Sequence, residues 1–240
     1  MSSVIQITSI PYPESDGRPM GETDLHREEM VRLLGLLKRY YAGQQVYVSG
    51  DLLVYYVQGD PKKYVVPDVF VAKGLPPGPR RTYRIWVEHK VPDVVVEVTS
   101  RKTKKKDTVT KPALYRQLGI AEYFLFDPTL DYLDPPLQGY RLVGTAYQAL
   151  VPDDEGALVS EQLALRLRPE GEHLMFYRLD TGVRLLTSEE SEAEARQAEV
   201  KARQAEVEAG QAREAEAEAR RTAEAELARL REELSRRNPG

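Results

Sequence analysis

Cysteine is missing from this chain. Its absence rules out disulfides, thiolate metal ligands and cysteine nucleophiles, and it fits a reducing compartment or a hot one. Histidine is scarce: His26, His89 and His173 are scattered, without the spacing of a zinc site. Charge of one sign is in no large excess. A net charge of −4 gives no global attraction to nucleic acid, so any basic surface has to be local. No apolar run approaches the roughly 20 residues of a membrane span. The opening MSSVIQITSIPYPES has neither a basic start nor a long apolar stretch, unlike a signal peptide. The expectation is a cytoplasmic protein without membrane contact. Its 240 residues can build one sizeable core or two small ones.

The composition changes near residue 188. Before it lie every tyrosine, the single Trp86 and almost all the prolines; after it the chain is mostly Ala, Glu, Arg and Gln. A seven-residue repeat runs through EARQAEV (194–200), KARQAEV (201–207) and EAGQARE (208–214). A stripe keeps three- and four-residue steps through Ala195, Ala198, Ala202, Ala205, Ala209 and Ala212, as in a coiled-coil seam. Alanine buries little area, so such a seam is weak, and a solvated single helix is an equal reading. The division expected is an extension over 1–22, a domain over 23–187 and a helical tail over 188–240.

Within 23–187 helices and strands alternate. Residues 23–41 carry Leu33, Leu34, Leu37, Tyr40 and Tyr41 on one helical face, with Thr23 or Asp24 as cap and Gly43 as terminator. Strands are expected over 45–57, 64–72, 92–99 and 123–126, and a helix over 108–118. Residues 138–187 read as short antiparallel strands separated by turn signals. The order α-β-β-β-α-β with a β-rich extension is that of an α/β domain.

Residues 94–99 read V-V-V-E-V-T. A valine run of this kind is a strand buried on both faces, and an isolated buried carboxylate is normally paired, neutralised or bound to a metal. Alternation puts Asp93, Val95, Glu97 and Thr99 on one face. If the strand holding Pro67-Asp68 lies alongside, Asp68 points at Glu97. Two carboxylates about 4 Å apart repel by roughly 4 kcal/mol at an effective dielectric of 20, so the pair needs a cation or a shared proton. Oxygen-only ligation favours Mg²⁺ or Mn²⁺. The segment S-R-K-T-K-K-K-D follows at once, the densest positive charge in the chain. A run like this is usually a solvated loop, but its place beside Glu97 favours a grip on phosphates through Arg101, Lys102, Lys104, Lys105 and Lys106. Arg80, Arg81 and Arg84 could extend that surface.

The ordered set Pro67-Asp68, Glu97-Val98-Thr99-Ser100, Asp107, Lys111, Tyr115, Gly119-Ile120-Ala121-Glu122-Tyr123 and Asp127-Pro128 resembles the PD-(D/E)XK nuclease superfamily. More closely it is similar to the Uma-two family of restriction-endonuclease-like proteins, over roughly residues 20–187. The resemblance implies a restriction-endonuclease-like core, a mixed central sheet flanked by helices. It also implies Mg²⁺- or Mn²⁺-dependent hydrolysis of DNA phosphodiesters. Asp68 and Glu97 would hold the metal. The lysine that the superfamily keeps two residues after the acid is replaced here by Thr99, and the family places it on the following helix, as Lys111. Lys102, Lys104 and Lys105 are fallbacks for that role. Glu29 on the first helix and Asp107 are possible accessories, and His26 falls where the family often has a histidine. Pro112 is tolerated only in a first helical turn, which starts that helix near Thr110.

Other readings stand beside this one. Glu97 could be a structural acid paired with a basic residue, Asp68 a turn aspartate and Asp107 a helix cap. Tyr115, Tyr123 and Asp127 fit core packing and turn chemistry. A nucleic-acid-binding module without catalysis would follow if the change at Thr99 cost the activity. A scaffold acting through its coiled coil, and more distantly a glycosidase, complete the set. A homodimer would suit cutting both strands.

Overall fold

The computed structural model describes residues 10–15, 23–100 and 103–237. The chain divides into two compact units between Thr187 and Ser188. The first unit contains α1 (Asp24–Tyr40), β1 (Val46–Ser49), β2 (Val54–Tyr55), β3 (Tyr64–Val65), β4 (Val69–Lys73), β5 (Tyr83–Arg84), α2 (Ile85–Glu88) and β6 (Val94–Val98). It continues through α3 (Lys111–Leu118), β7 (Glu122–Phe126), β8 (Leu137–Val143), β9 (Ala146–Ala149), β10 (Leu158–Ser160), β11 (Leu165–Glu170) and β12 (His173–Arg178). The second unit is one helix, α4 (Ser188–Arg237).

A six-stranded mixed sheet in the order β1-β4-β6-β7-β8-β9 forms the centre. β6 and β7 are parallel, joined across α3, and the other neighbours are antiparallel. β6 lies inside the sheet with a packed layer on each face, which is why its valines are buried on both faces. Val94, Val96 and Val98 pack with Leu33 and Leu37 of α1, with Phe124 and Phe126, and with Leu165, Leu167 and Phe176 of a sheet made by β10, β11 and β12. Val95 faces the opposite layer with Tyr115, Ile120, Tyr123 and Leu125. Glu97 shares the Val95 side, so it is turned toward α3.

Thr23 caps α1 by accepting a hydrogen bond from the His26 amide at 3.3 Å. The strand expected over 45–57 is two strands. The break falls at Gly50-Asp51, where Asp51 takes a φ of +47°. A Cβ on Gly50 would stand 1.9 Å from the Asp68 carbonyl oxygen, so only glycine lets the two backbones approach. Beyond the break, β2 leaves the main sheet and joins a small one in the order β3-β2-β5. Tyr12 packs against Tyr55 and Trp86 there, at centroid distances of 5.0 and 5.2 Å. The strand expected over 64–72 is likewise split, at Pro67-Asp68, into β3 and β4. Proline cannot donate to a ladder, which confines it to such breaks.

The helix expected over 108–118 begins as a π-helical turn, Lys106–Thr110, and becomes α-helical at Lys111. The Lys111 amide donates to the Lys106 carbonyl five residues back. Pro112 accounts for this: in an α-helix its ring would meet the carbonyl four residues earlier, and a wider turn avoids the clash.

Beyond Ala193 every described side chain of α4 is exposed. Spaced ion pairs such as Arg220–Glu224 at 3.0 Å and Arg236–Glu232 at 2.7 Å decorate it. A helix that is polar nearly all round takes little stability from packing of its own. Among the described residues no helix is long and apolar enough to cross a membrane.

Candidate active site

The antiparallel register Val69↔Val96 puts Asp68, one residue ahead of β4, beside Glu97 on β6. The two acids interlock through the backbone. The Asp68 amide donates to Glu97 Oε2 at 3.2 Å, and the Val98 amide donates to Asp68 Oδ2 at 2.8 Å. Gly50 closes the same corner by its contact with the Asp68 carbonyl. From α1, His26 Nε2 comes within 3.6 Å of Asp68 Oδ2.

The segment after β6 supplies the remaining groups from one-turn spacing. Lys111 Nζ donates to Glu97 Oε2 at 2.7 Å and stands 3.0 Å from Asp107 Oδ1. The Tyr115 hydroxyl donates to Glu97 Oε1 at 2.6 Å. The Tyr123 hydroxyl donates to the Asp107 carbonyl at 2.5 Å, which fastens the π turn to β7. Asp68, Glu97, Asp107 and Lys111 therefore form one cluster. Glu97 and Asp107 are fully buried; Asp68, 13% exposed, is its more accessible acid.

The charge balance of this cluster is unlike that of the other buried acids. Glu122 accepts from the Arg141 guanidinium, the Ser160 hydroxyl and the amides of Glu161 and Gln162. Asp127 accepts from Thr129, Tyr132 and Leu133. Those carboxylates are saturated and structural. In the Glu97 cluster three carboxylates share one ammonium. Neither Asp107 oxygen accepts a hydrogen bond, although Lys111 is near. Burial pushes the Asp68 carboxyl up to about 6; Lys111 works against that rise and Asp107 adds to it. Burial also raises Glu97 well above the usual carboxylate range, with Lys111 opposing and Asp68 and Asp107 reinforcing. For Lys111, burial alone would favour the neutral amine. The carboxylates of Glu97, Asp68 and Asp107 outweigh it and hold the ammonium above its ordinary pKa. Lys111 is thus a fixed positive charge and no base near neutral pH.

The donor set suits a hard divalent cation. It offers carboxylate oxygens, with the His26 imidazole nitrogen 3.6 Å from Asp68, and, with all three acids ionised, two more negative charges than the lysine neutralises. A metal here would be held by Asp68 and Glu97. Lys111 already stands against Glu97. Among the described residues no group of three or more His, Asp or Glu side chains is already arranged to hold an ion.

Several expectations meet other outcomes. Glu29 does not join the cluster as the accessory acid. Both its oxygens are taken by the Arg32 guanidinium at 2.8 Å, His173 Nδ1 at 2.9 Å and the Leu174 amide at 2.8 Å, so it pins α1 to β12. His26 is the α1 side chain that reaches Asp68. Thr99 is buried, and its hydroxyl makes no hydrogen bond. Lys111, from α3, places an ammonium against Glu97. Lys104, Lys105 and Lys106 are exposed on the first turn after Ser100 and Thr103, while Arg101 and Lys102 lie outside the described residues. Arg80 is tied to Glu88 at 2.8 Å with both side chains mostly buried, whereas Arg81 pairs with Glu14 on an exposed surface. Tyr115 shares the face of Lys111 at one-turn spacing, and beyond the core packing expected of it its hydroxyl donates directly to Glu97.

Residues 12–170 match the family model described as "Uma2: Putative restriction endonuclease". The match takes in more than half of the chain, and the chain belongs to that family, which places it among the nucleases. No curated protein matches it. Among solved structures it is similar to "a putative nuclease belonging to DUF820 from Anabaena variabilis ATCC 29413". That likeness has 16% identity and a TM-score of 0.45, and covers 65% of this chain and 87% of the other.

Proposed function

We propose that the chain is a divalent-metal-dependent endonuclease that hydrolyses DNA phosphodiester bonds at the Asp68–Glu97 corner. The observation that carries this reading is that one oxygen of Glu97 receives both the Asp68 amide and the Lys111 ammonium, while the Asp68 carboxylate is held by the Val98 amide next to Glu97. Mg²⁺ or Mn²⁺ bound there would supply Lewis-acid polarisation of a phosphoryl oxygen and a bound water of lowered pKa.

The chain's own groups do the rest. Asp68 and Glu97 present acidic oxygens at fixed positions, because each is held through the other's strand by a backbone amide. Tyr115 fixes the Glu97 carboxylate from the opposite side. Lys111, cationic throughout the working pH range, offsets negative charge that grows on the phosphorane-like transition state. The exposed Lys104, Lys105 and Lys106 stand at the mouth of the segment, with Arg101 and Lys102 beside them in sequence. They would hold the phosphate backbone without reading bases. The seam of α4 would bring two copies together as a homodimer; truncation after Thr187 then lowers the number of chains per assembly seen by sedimentation, and an unchanged number removes the tail from this role.

Cleavage of supercoiled plasmid tests the reading. Nicking or linearisation should need Mg²⁺ or Mn²⁺, disappear in Glu97→Ala and survive truncation of the tail. Salt-sensitive DNA binding with no cleavage under either ion would identify a binding module instead.

A further inference from the structure

We infer that Asp107 is the holding point of a mobile lysine: when a divalent cation is bound by Asp68 and Glu97, the Lys111 ammonium leaves Glu97 and is retained by Asp107. This rests on the metal-dependent reading above.

Three observations meet here. First, the ammonium is placed against Glu97 Oε2, the oxygen that also receives the Asp68 amide. A cation drawn to these two carboxylates meets Lys111 as a like charge at the same acid, and close like charges repel. Second, Asp107 is fully buried, and neither of its oxygens accepts a hydrogen bond. A buried carboxylate in that condition is costly and calls for a physical reason. Glu122 and Asp127, equally buried, are saturated. The unused capacity of Asp107 is what an ammonium released from Glu97 requires. Third, the geometry already links the two: Lys111 Nζ is 3.0 Å from Asp107 Oδ1, four residues back on the same segment. The ammonium can exchange one partner for the other by rotation of its own flexible side chain, without movement of the sheet.

Asp107 is therefore a positioning residue. It touches neither substrate nor metal, and it acts by keeping Lys111 close to the site yet off Glu97. A purely structural role, or a role as a metal ligand, gives a different pattern of couplings.

Calorimetric titration of the full chain with Mn²⁺ separates these. Asp107→Asn, nearly isosteric, leaves the lysine without a refuge and should weaken Mn²⁺ binding about tenfold, the lower range for residues that act through a ligand. Lys111→Met removes the competitor and should tighten binding; Lys111→Gln replaces it where the Met variant does not fold. On that background Asp107→Asn should change affinity by less than about twofold, because there is no lysine left to hold. Wild-type affinity in Asp107→Asn overturns the inference. So does an equal tenfold loss with and without Lys111, which marks Asp107 as a ligand or a through-space charge. A wild-type chain that binds no Mn²⁺ removes the metal reading as well. Binding in the wild type with no effect of Asp107→Asn removes this inference alone.

Discussion

The Tyr115 hydroxyl donates to Glu97 Oε1 across 2.6 Å, from a ring that is wholly buried between α3 and the sheet. With Lys111 and the Asp68 amide on Oε2, it occupies the carboxylate from the side away from Asp68. Glu97 is thereby aimed as well as buried. Tyr115→Phe keeps the packing and removes the donor, which leaves a buried carboxylate oxygen unsatisfied. Chemical denaturation should show a loss of about 1–3 kcal/mol. Plasmid cleavage should slow by about tenfold or more, as when a ligand loses its outer partner. Full activity in the variant would separate Tyr115 from the chemistry.

Asp68 sets a pH dependence with a definite sign. Its carboxyl is raised from 3.8 to about 6, first by burial. The folded chain therefore binds this proton more tightly than the unfolded one. The resulting stabilisation is complete below 3.8 and is lost as pH rises through about 6. Asp68→Asn removes this contribution and leaves that of Glu97, whose carboxyl burial also raises. In EDTA near pH 7 the variant should be more stable than the wild type, by about 1–3 kcal/mol, and near pH 4 the difference should close. Melting curves at the two pH values check this. A variant less stable at pH 7 would mean that the ionised carboxylate is well accommodated by the metal-free fold.

Gly50 has no room for a side chain, since a Cβ would stand 1.9 Å from the Asp68 carbonyl oxygen. The obstacle is backbone and cannot rotate away. Gly50→Ala should cost on the order of 3 kcal/mol in urea unfolding and displace Asp68, with loss of cleavage. A variant of wild-type stability and activity would show that the corner is loose.

Lys104, Lys105 and Lys106 are exposed and none of them neutralises Glu97. If they hold phosphates, replacing all three by Ala should lower the slope of log affinity against log salt by about 2–3 on duplex DNA. The fold and Mn²⁺ affinity should stay as they are. An unchanged slope would return the run to the status of a solvated turn.

Glu97 was legible from a local rule, whereas Asp68 beside it depended on an assumed strand pairing and Lys111 came from the resemblance to the family. A carboxylate inside a valine run has to be buried, and Asp107, Lys111 and Tyr115 recur at one-turn spacing. Three features escaped, for physical reasons. His26 and Glu29 are three residues apart on the same buried face of α1, so periodicity cannot tell which one meets Asp68. The position of β12, 144 residues beyond Glu29, decides it by capturing Glu29 through His173 and Leu174. The run QVYVSGDLLVYYV is apolar on both sides of Ser49-Gly50-Asp51, and the direction the chain takes there depends on a backbone contact with Asp68 that no local pattern encodes. The π turn depends on Pro112 acting on a carbonyl four residues earlier, an effect that proline's usual reading as a helix start conceals.

The proposed chemistry requires Asp68 and Glu97 jointly to hold a divalent cation. Anomalous diffraction from crystals grown with Mn²⁺ measures this directly. A peak should stand against carboxylate oxygens of both residues, with the Lys111 ammonium withdrawn from Glu97. No peak at that corner, with Lys111 still against Glu97 at saturating Mn²⁺, would rule the metal site out.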